Sequence, residues 1–212
     1  MDQHTKLIQR LQGEAAVKAL RRNRFDAHYF ETVEQMKTYV SELLQKDMTV
    51  AVGGSMTLFE TGIIDMIRGS EATFYDRYDA SKDTAVMFRK AFESDLFFTS
   101  SNAVTLDGQL FNIDGNGNRV AAMIFGPKKV VVIVGTNKIV KDMSAAESFA
   151  RMTSRPMNNQ RLNTGNPCAV TGECMECVKD TRICSAFVRI ARSQIDRRIA
   201  VLIVNESLGY GS

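Results

Sequence analysis

The sequence predicts an α/β fold built on a mainly parallel sheet with helices on both faces. Three observations carry this expectation. Short runs of strand length alternate with helical stretches through most of the chain. The runs are apolar at almost every position, as expected of strands buried on both sides. Residues 1–46, ahead of the first run, are rich in helix formers, so a helical pair precedes the core.

Taken in order, residues 5–24 read as a helix with Leu7, Leu11, Ala15 and Ala19 at helical spacing. A second helix spans about 31–46, where Val33, Met36, Val40, Leu43 and Leu44 form one apolar face. His28, between the two, reads as a packing residue at a helix junction. Strands follow at 48–52, 73–75, 96–99, 130–134 and 200–204, with helices at about 57–68, 80–92, 117–124 and 142–152. Residues 155–184 read as a long irregular excursion before the last strand, a kind of loop that is functional or held by a crosslink. The 212 residues make one domain: helices over 1–46, core over 47–154, the cysteine-rich segment 155–184, and a final core element over 185–212.

Composition narrows the function. With 27 basic and 24 acidic residues the chain has a formal charge of +3 and no basic block, too little to indicate nucleic acid. The polar opening Met1-Asp2-Gln3-His4-Thr5-Lys6 lacks the apolar core of a secretory signal, and the most apolar runs are too short to cross a membrane. A cytoplasmic protein is expected. The histidines are His4 and His28, both near the N-terminus, which argues against a Ser–His–Asp or Cys–His nucleophile.

Three loops invite a ligand. Gly53-Gly54-Ser55-Met56-Thr57 lies between a strand and a helix, where glycines let backbone N–H groups approach an anion and the Ser55 and Thr57 hydroxyls can donate to it. It is neither a dinucleotide fingerprint nor a P-loop. Thr57 and Glu60 also fit a capping box, with Glu60 a candidate catalytic carboxylate beside that structural role. The stretch 102–119 contains Asp107-Gly108 and Asp114-Gly115, turn signals flanking a strand-like 109–113, so a hairpin is the simple reading. It also concentrates Thr105, Asp107, Asp114, Asn116, Asn118 and Arg119, without EF-hand spacing for calcium. Asn118 is placed to cap a helix and Arg119 to project from its first turn. Finally, Gly135-Thr136-Asn137-Lys138 follows a strand, and loops at the carboxyl ends of such strands line the ligand crevice. The Gly53 and Gly135 loops can therefore share one site, with Lys138 a candidate anion partner.

All four cysteines, Cys168, Cys174, Cys177 and Cys184, fall inside seventeen residues as C-x5-C-x2-C-x6-C. Core packing would scatter them. The cluster suggests zinc, an iron–sulfur cluster or redox-active thiols, against the plainer readings of disulfides or four reduced thiols. With no histidine nearby, a metal would need all four sulfurs.

The run GGSMTLFETGI, the stretch NAVTLDGQLFNIDGNGNRVAAMIFGPKKVVVIVGTNKIV, the tail PCAVTGECMECVKDTRIC with its closing LGY, and the N-terminal ALRRNRFDAHYF together resemble the lactate-utilisation (LUD) domain family, in its short single-domain form related to the C subunit of the bacterial lactate-utilisation operon. The resemblance spans about residues 15–210. It implies a fold like those of glucosamine-6-phosphate deaminase, ribose-5-phosphate isomerase and the coenzyme A transferases. It implies site residues at Gly53, Gly54, Ser55 and Thr57, with Asp107, Gly108, Asp114 and Asn118. The implied function is participation in oxidation of L-lactate to pyruvate alongside separate iron–sulfur subunits.

Three functions compete on these residues. One is a subunit acting on lactate or a related 2-hydroxy acid, its carboxylate held by Arg119 and Lys138. No NAD or flavin motif is present to accept hydride, so electrons would leave through a bound group or a partner. The second is a sugar-phosphate isomerase with Asp107 or Asp114 as base, or an acyl-transfer enzyme with Glu60 as nucleophile. The third is a non-catalytic ligand-binding module with a structural metal. The sequence leaves a homo-oligomer open.

Overall fold

The computed structural model describes residues 2–211; Met1, which opens the polar N-terminal stretch, and Ser212 lie outside the described residues. Helix α1 (Gln3–Arg22) starts at Asp2, whose carboxylate accepts from the His4 and Thr5 N–H groups. Strand β1 (Asp26–Phe30) follows, then α2 (Val33–Leu43), β2 (Thr49–Val52), α3 (Met56–Glu60), α4 (Ile63–Arg68), β3 (Thr73–Tyr75), α5 (Thr84–Lys90), β4 (Leu96–Thr99), β5 (Ala103–Thr105) and β6 (Leu110–Asp114). The rest comprises α6 (Asn118–Ile124), β7 (Lys129–Gly135), β8 (Ile139–Val140), α7 (Met143–Met152), α8 (Ser154–Arg161), α9 (Pro167–Thr171), β9 (Ala186–Ile190) and β10 (Ile199–Val204).

Six strands form the main sheet in the order β1-β10-β7-β4-β2-β3, every pairing parallel. Both faces are covered, and side-chain alternation along β7 shows how. Val130, Val132 and Val134 pack toward α1 and α6, with Ala16, Leu20, Ala122 and Met123. Val131 and Ile133 pack the other way, with Met36 and Val40 of α2 and Ile63, Ile64 and Ile67 of α4. A second sheet, ordered β8-β5-β6-β9, places the β5–β6 hairpin against α7 through Ala103, Phe111, Ala146 and Ala150. The α/β class with a mainly parallel, helix-covered sheet is thus as expected.

Several elements differ from the sequence reading. The 1–46 region is not purely helical: His28 lies in edge strand β1, its ring bonded to Asp26 and tilted against the Tyr39 ring. Asp26 is buried there among Lys129 and Arg197, each 2.8 Å away, and such ion pairing let a polar segment join the sheet. On α1 the buried stripe is Ala16, Val17, Ala19 and Leu20, while Leu7 and Leu11 are half exposed. The 57–68 helix is two, broken at Gly62, which adopts a left-handed φ of 70°. Residues 155–184 begin with two helices, and residues 162–166 and 172–185 lack helix and strand. The segment after residue 185 supplies β9 to the small sheet before reaching β10.

Candidate functional site

Strands β2, β4 and β7 are neighbours in the sheet, so the loops at their carboxyl ends converge. They open on a cleft of about 450 Å³ lined by Gly54, Ser55, Thr57, Ser100, Asn118 and Lys138, among others. The Gly53 and Gly135 loops, separated by some eighty residues, meet here directly: the Lys138 Nζ donates to Thr57 Oγ1 and to Ser100 Oγ, each at 3.0 Å. Lys138 is 4% exposed. Among the described residues no carboxylate lies within ion-pair distance of it. Burial, and secondarily the nearby Arg119 charge, push its pKa down to about 8, against a weaker opposing pull from Glu60.

Glu60 does not reach back to cap its helix. Ser55 is the cap of α3, its hydroxyl accepting from Leu58 N–H, and Glu60 Oε2 accepts from Gly209 N at 2.5 Å. That bond fixes the chain terminus over Thr57 and Lys138, and Gly209 takes a left-handed φ of 64° where a side chain would strike the Thr57 hydroxyl. Thr57, expected as a cap, is instead buried in the site.

Arg119 projects from the first turn of α6, as its position implied, but the guanidinium is already engaged. Nη1 donates to Ser100 O at 3.0 Å and Asn112 Oδ1 at 2.7 Å, and Nη2 to Asn102 Oδ1 at 3.2 Å and Ile113 O at 2.7 Å. Its Nε faces Asp114 Oδ2 at 3.4 Å. Arg119 therefore ties the loops together and supplies a fixed positive field, with no N–H left over for a ligand. Gly53 stands behind the cleft: a Cβ there would lie 2.8 Å from Thr99 Oγ1 and 2.9 Å from Arg119 Cγ, so glycine is what lets Arg119 lie flat.

Sequence reasoning missed Arg77. Its guanidinium stacks 4.4 Å over Phe88 and faces the cleft beside Gly54, and its buried Nε has no partner. The signal was available, because Arg77 follows β3 at the same carboxyl edge of the sheet.

The other candidates divide by place. Asp114 lines the cleft, its carboxylate held by Arg119 and by Val120 N–H at 3.3 Å. Asn118 lines it too, but as the first residue of α6, whose cap is Gly117. Asp107 and Gly108 lie elsewhere, at the β5–β6 turn packed on α1. Asn23 Nδ2 donates to their carbonyls at 3.1 and 2.8 Å, and Gly108, at φ 85°, touches the Ala19 backbone too closely to carry a side chain. The Asp107 carboxylate is taken up by Thr105 and Gln109.

The four cysteines line one small pocket of about 10 Å³, and none is in a disulfide. Burial pushes the Cys168 and Cys184 thiols up. Arg155, at 2% exposed, donates from Nη1 to Cys174 Sγ at 2.9 Å and Glu176 Oε1 at 2.8 Å, while its Nε and Nη2 are buried without partners. Among the described residues no three histidine, cysteine, aspartate or glutamate side chains meet closely enough to hold a single metal ion. Arg155, Ile183 and Cys184 line both this pocket and the cleft, so the two share a wall.

A family model described as the LUD domain matches residues 13–204. Among solved structures, a DUF162 family protein from Deinococcus radiodurans is similar over 94% of this chain and 98% of its own, at 12% identity and a TM-score of 0.49. No curated protein matches.

Proposed function

Because the chain belongs to the LUD domain family, which relates it to lactate-utilisation proteins, we propose that it binds L-lactate or a related 2-hydroxy acid, and the matching 2-oxo acid, as a subunit or accessory of their interconversion. The observation that carries this reading is Lys138, a buried cation held by two hydroxyls and left without a counter-ion at the floor of an open cleft. An uncompensated buried charge is costly, and a carboxylate is the group that relieves it. The ligand carboxylate is bonded by Lys138 and the Thr57 and Ser100 hydroxyls, and Arg77 offers further N–H donors from the wall. The Arg119 field adds attraction without a direct bond. Oxidation of a 2-hydroxy acid releases two electrons, for which the proposal takes separate iron–sulfur subunits as acceptors, in the cytoplasm. No helix among the described residues is long and apolar enough to cross a membrane. The likeness to the glucosamine-6-phosphate deaminase and ribose-5-phosphate isomerase fold belongs to the same proposal.

A second reading, a phosphate-ester ligand, is favoured by the cleft's volume and by Arg77 and Arg161 on its wall, which exceed what a three-carbon acid needs. An isomerase base and an acyl-transfer nucleophile draw less support, since Asp107 lies outside the cleft and Asp114 and Glu60 are engaged by Arg119 and Gly209.

Thermal melting with L-lactate, pyruvate and sugar phosphates separates the readings. A ligand at a hundred times its Kd stabilises by about 2.7 kcal/mol, a rise of roughly 5–10 °C for a chain of this size. Protection by lactate or pyruvate supports the proposal. Protection by phosphate esters alone moves the assignment to the second reading, and protection by none removes both.

A further inference from the structure

The geometry points to a second anion subsite at the Gly54 end of the cleft, formed by Arg77 and Arg161, so that the ligand is a phosphorylated 2-hydroxy acid. Its carboxylate sits at Lys138 and its phosphate between the two arginines. The inference rests on the carboxylate site at Lys138 and names the class of acid that fills it.

The first observation is charge. Arg77, Lys138 and Arg161 line the cleft, and among the described residues none of them has a carboxylate within ion-pair distance. The neighbouring acids are taken. Asp114 faces Arg119 at 3.4 Å, Asp76 is held by Arg68 at 2.9 Å, and Glu176 is held by Arg155 at 2.8 Å. One ligand carboxylate answers Lys138 and leaves both arginines over. A phosphate monoester adds close to two negative charges at pH 7, and the guanidinium fork matches its oxygens.

The second observation is that the arginines form a centre of their own. Arg77 follows β3, with its guanidinium stacked 4.4 Å over Phe88 and its Nη1 beside Gly54, where a Cβ would stand 3.5 Å away. Arg161 closes α8 and donates from Nε and Nη2 to Asn158 Oδ1 at 3.2 and 2.8 Å, which steadies an otherwise exposed head. Burial foremost lowers the Arg77 pKa, opposed by Tyr78 and Asp114 and reinforced by the Arg161 charge. The cation that acts on Lys138 is instead Arg119. Gly54 beside Arg77 and Thr57 beneath Lys138 are three residues apart, a backbone span of at most about 11 Å. A short acid with a phosphate on its terminal carbon bridges such a gap.

Unsatisfied polar atoms mark the same wall. Arg77 Nε is buried with no partner, and so is the hydroxyl of Ser154, which opens α8 and is 5% exposed. Both residues line the cleft. Buried donors without acceptors are costly, and phosphate oxygens supply acceptors.

Titration calorimetry of the full chain at pH 7 compares three probes: 3-phosphoglycerate, glycerate of the same configuration, and glycerol 3-phosphate. The first carries both anionic groups, the second only the carboxylate and the third only the phosphate. 3-Phosphoglycerate is expected to bind roughly 10- to 100-fold more tightly than glycerate, through charge-assisted bonds to the guanidiniums. R161M should erase most of that preference, and R161K should restore part of it, because lysine keeps the charge without the fork. Arg161 is exposed, so its replacement leaves the fold intact. Equal affinity for 3-phosphoglycerate and glycerate overturns the second subsite and leaves the carboxylate site standing. Equal affinity for 3-phosphoglycerate and glycerol 3-phosphate removes the carboxylate site and with it the two-ended ligand. An R161M protein that loses as much affinity for glycerate as for 3-phosphoglycerate reduces the arginines to a diffuse field and overturns the clamp. Binding of none of the probes overturns both sites.

Discussion

Replacing Lys138 with methionine is expected to stabilise the protein while weakening its hold on an anion. Methionine keeps most of the length of the side chain but removes the ammonium. The burden that the ammonium imposes follows from its pKa: a fall from the ordinary 10.5 to about 8 corresponds to about 3 kcal/mol. Water entering the cleft relieves part of this, so about 1–3 kcal/mol should appear as added stability in K138M at pH 7. The hydroxyls left behind are not orphaned, because Thr57 Oγ1 already lies 3.3 Å from Ser100 Oγ. The pH dependence has a definite sign. The folded pKa lies below the unfolded one, so the unfolded chain holds more protons between pH 8 and 10.5, and wild-type stability from this group rises across that window. Below pH 8 the full burden is present. Urea unfolding of both proteins from pH 7 to pH 10.5, without ligand, isolates the effect as their difference. K138M should be more stable at pH 7, by about 1–3 kcal/mol of unfolding free energy, and the gap should close as pH rises. A K138M protein less stable than wild type at pH 7, or a gap independent of pH, would refute the picture of a buried, uncompensated amine.

Three further outcomes are expected. D26N should lose about 1–2 kcal/mol at pH 7: burial alone would raise the Asp26 pKa, but Lys129 and Arg197 hold it at about 2, so its contribution is present above pH 3.8 and vanishes as pH falls through 2. Denaturant melts of both proteins at pH 7 and pH 2 check this. G108A should cost several kcal/mol because its side chain would strike the α1 backbone, while pyruvate affinity of the folded fraction stays unchanged; a calorimetric change in affinity would place the turn in the site after all. R77M should weaken anion binding by about tenfold with a stability change below about 1 kcal/mol, since the lost guanidinium has stacking partners but no ion pair.

The large sheet was readable because its strands are apolar on both faces. Val130 to Val134 and Ala200 to Val204 admit little else. Strand β1 was not, because Asp26 and His28 break the apolar run, and the ion pairs that bury Asp26 come from Lys129 and Arg197, remote in sequence. The small sheet was half visible: the β5–β6 hairpin has turn signals, whereas β9 carries Arg189 and alternates in exposure on an edge. In the cleft, the rule of carboxyl-end loops brought Gly54, Thr57 and Lys138 to one place. The same rule would have reached Arg77 had β3 been followed into its loop. What sequence could not supply was occupancy of hydrogen bonds. Arg119 looked like a free cation and is saturated, and Asp107 looked like a site carboxylate and serves a turn.

Titration calorimetry of pyruvate into wild-type protein and K138M at pH 7 tests the proposed carboxylate site most directly. Loss of a charge-assisted hydrogen bond of about 1.5–3 kcal/mol should weaken binding by roughly 10- to 150-fold in K138M. Equal affinities in the two proteins, or no heat of binding to the wild type, would contradict a carboxylate site at Lys138.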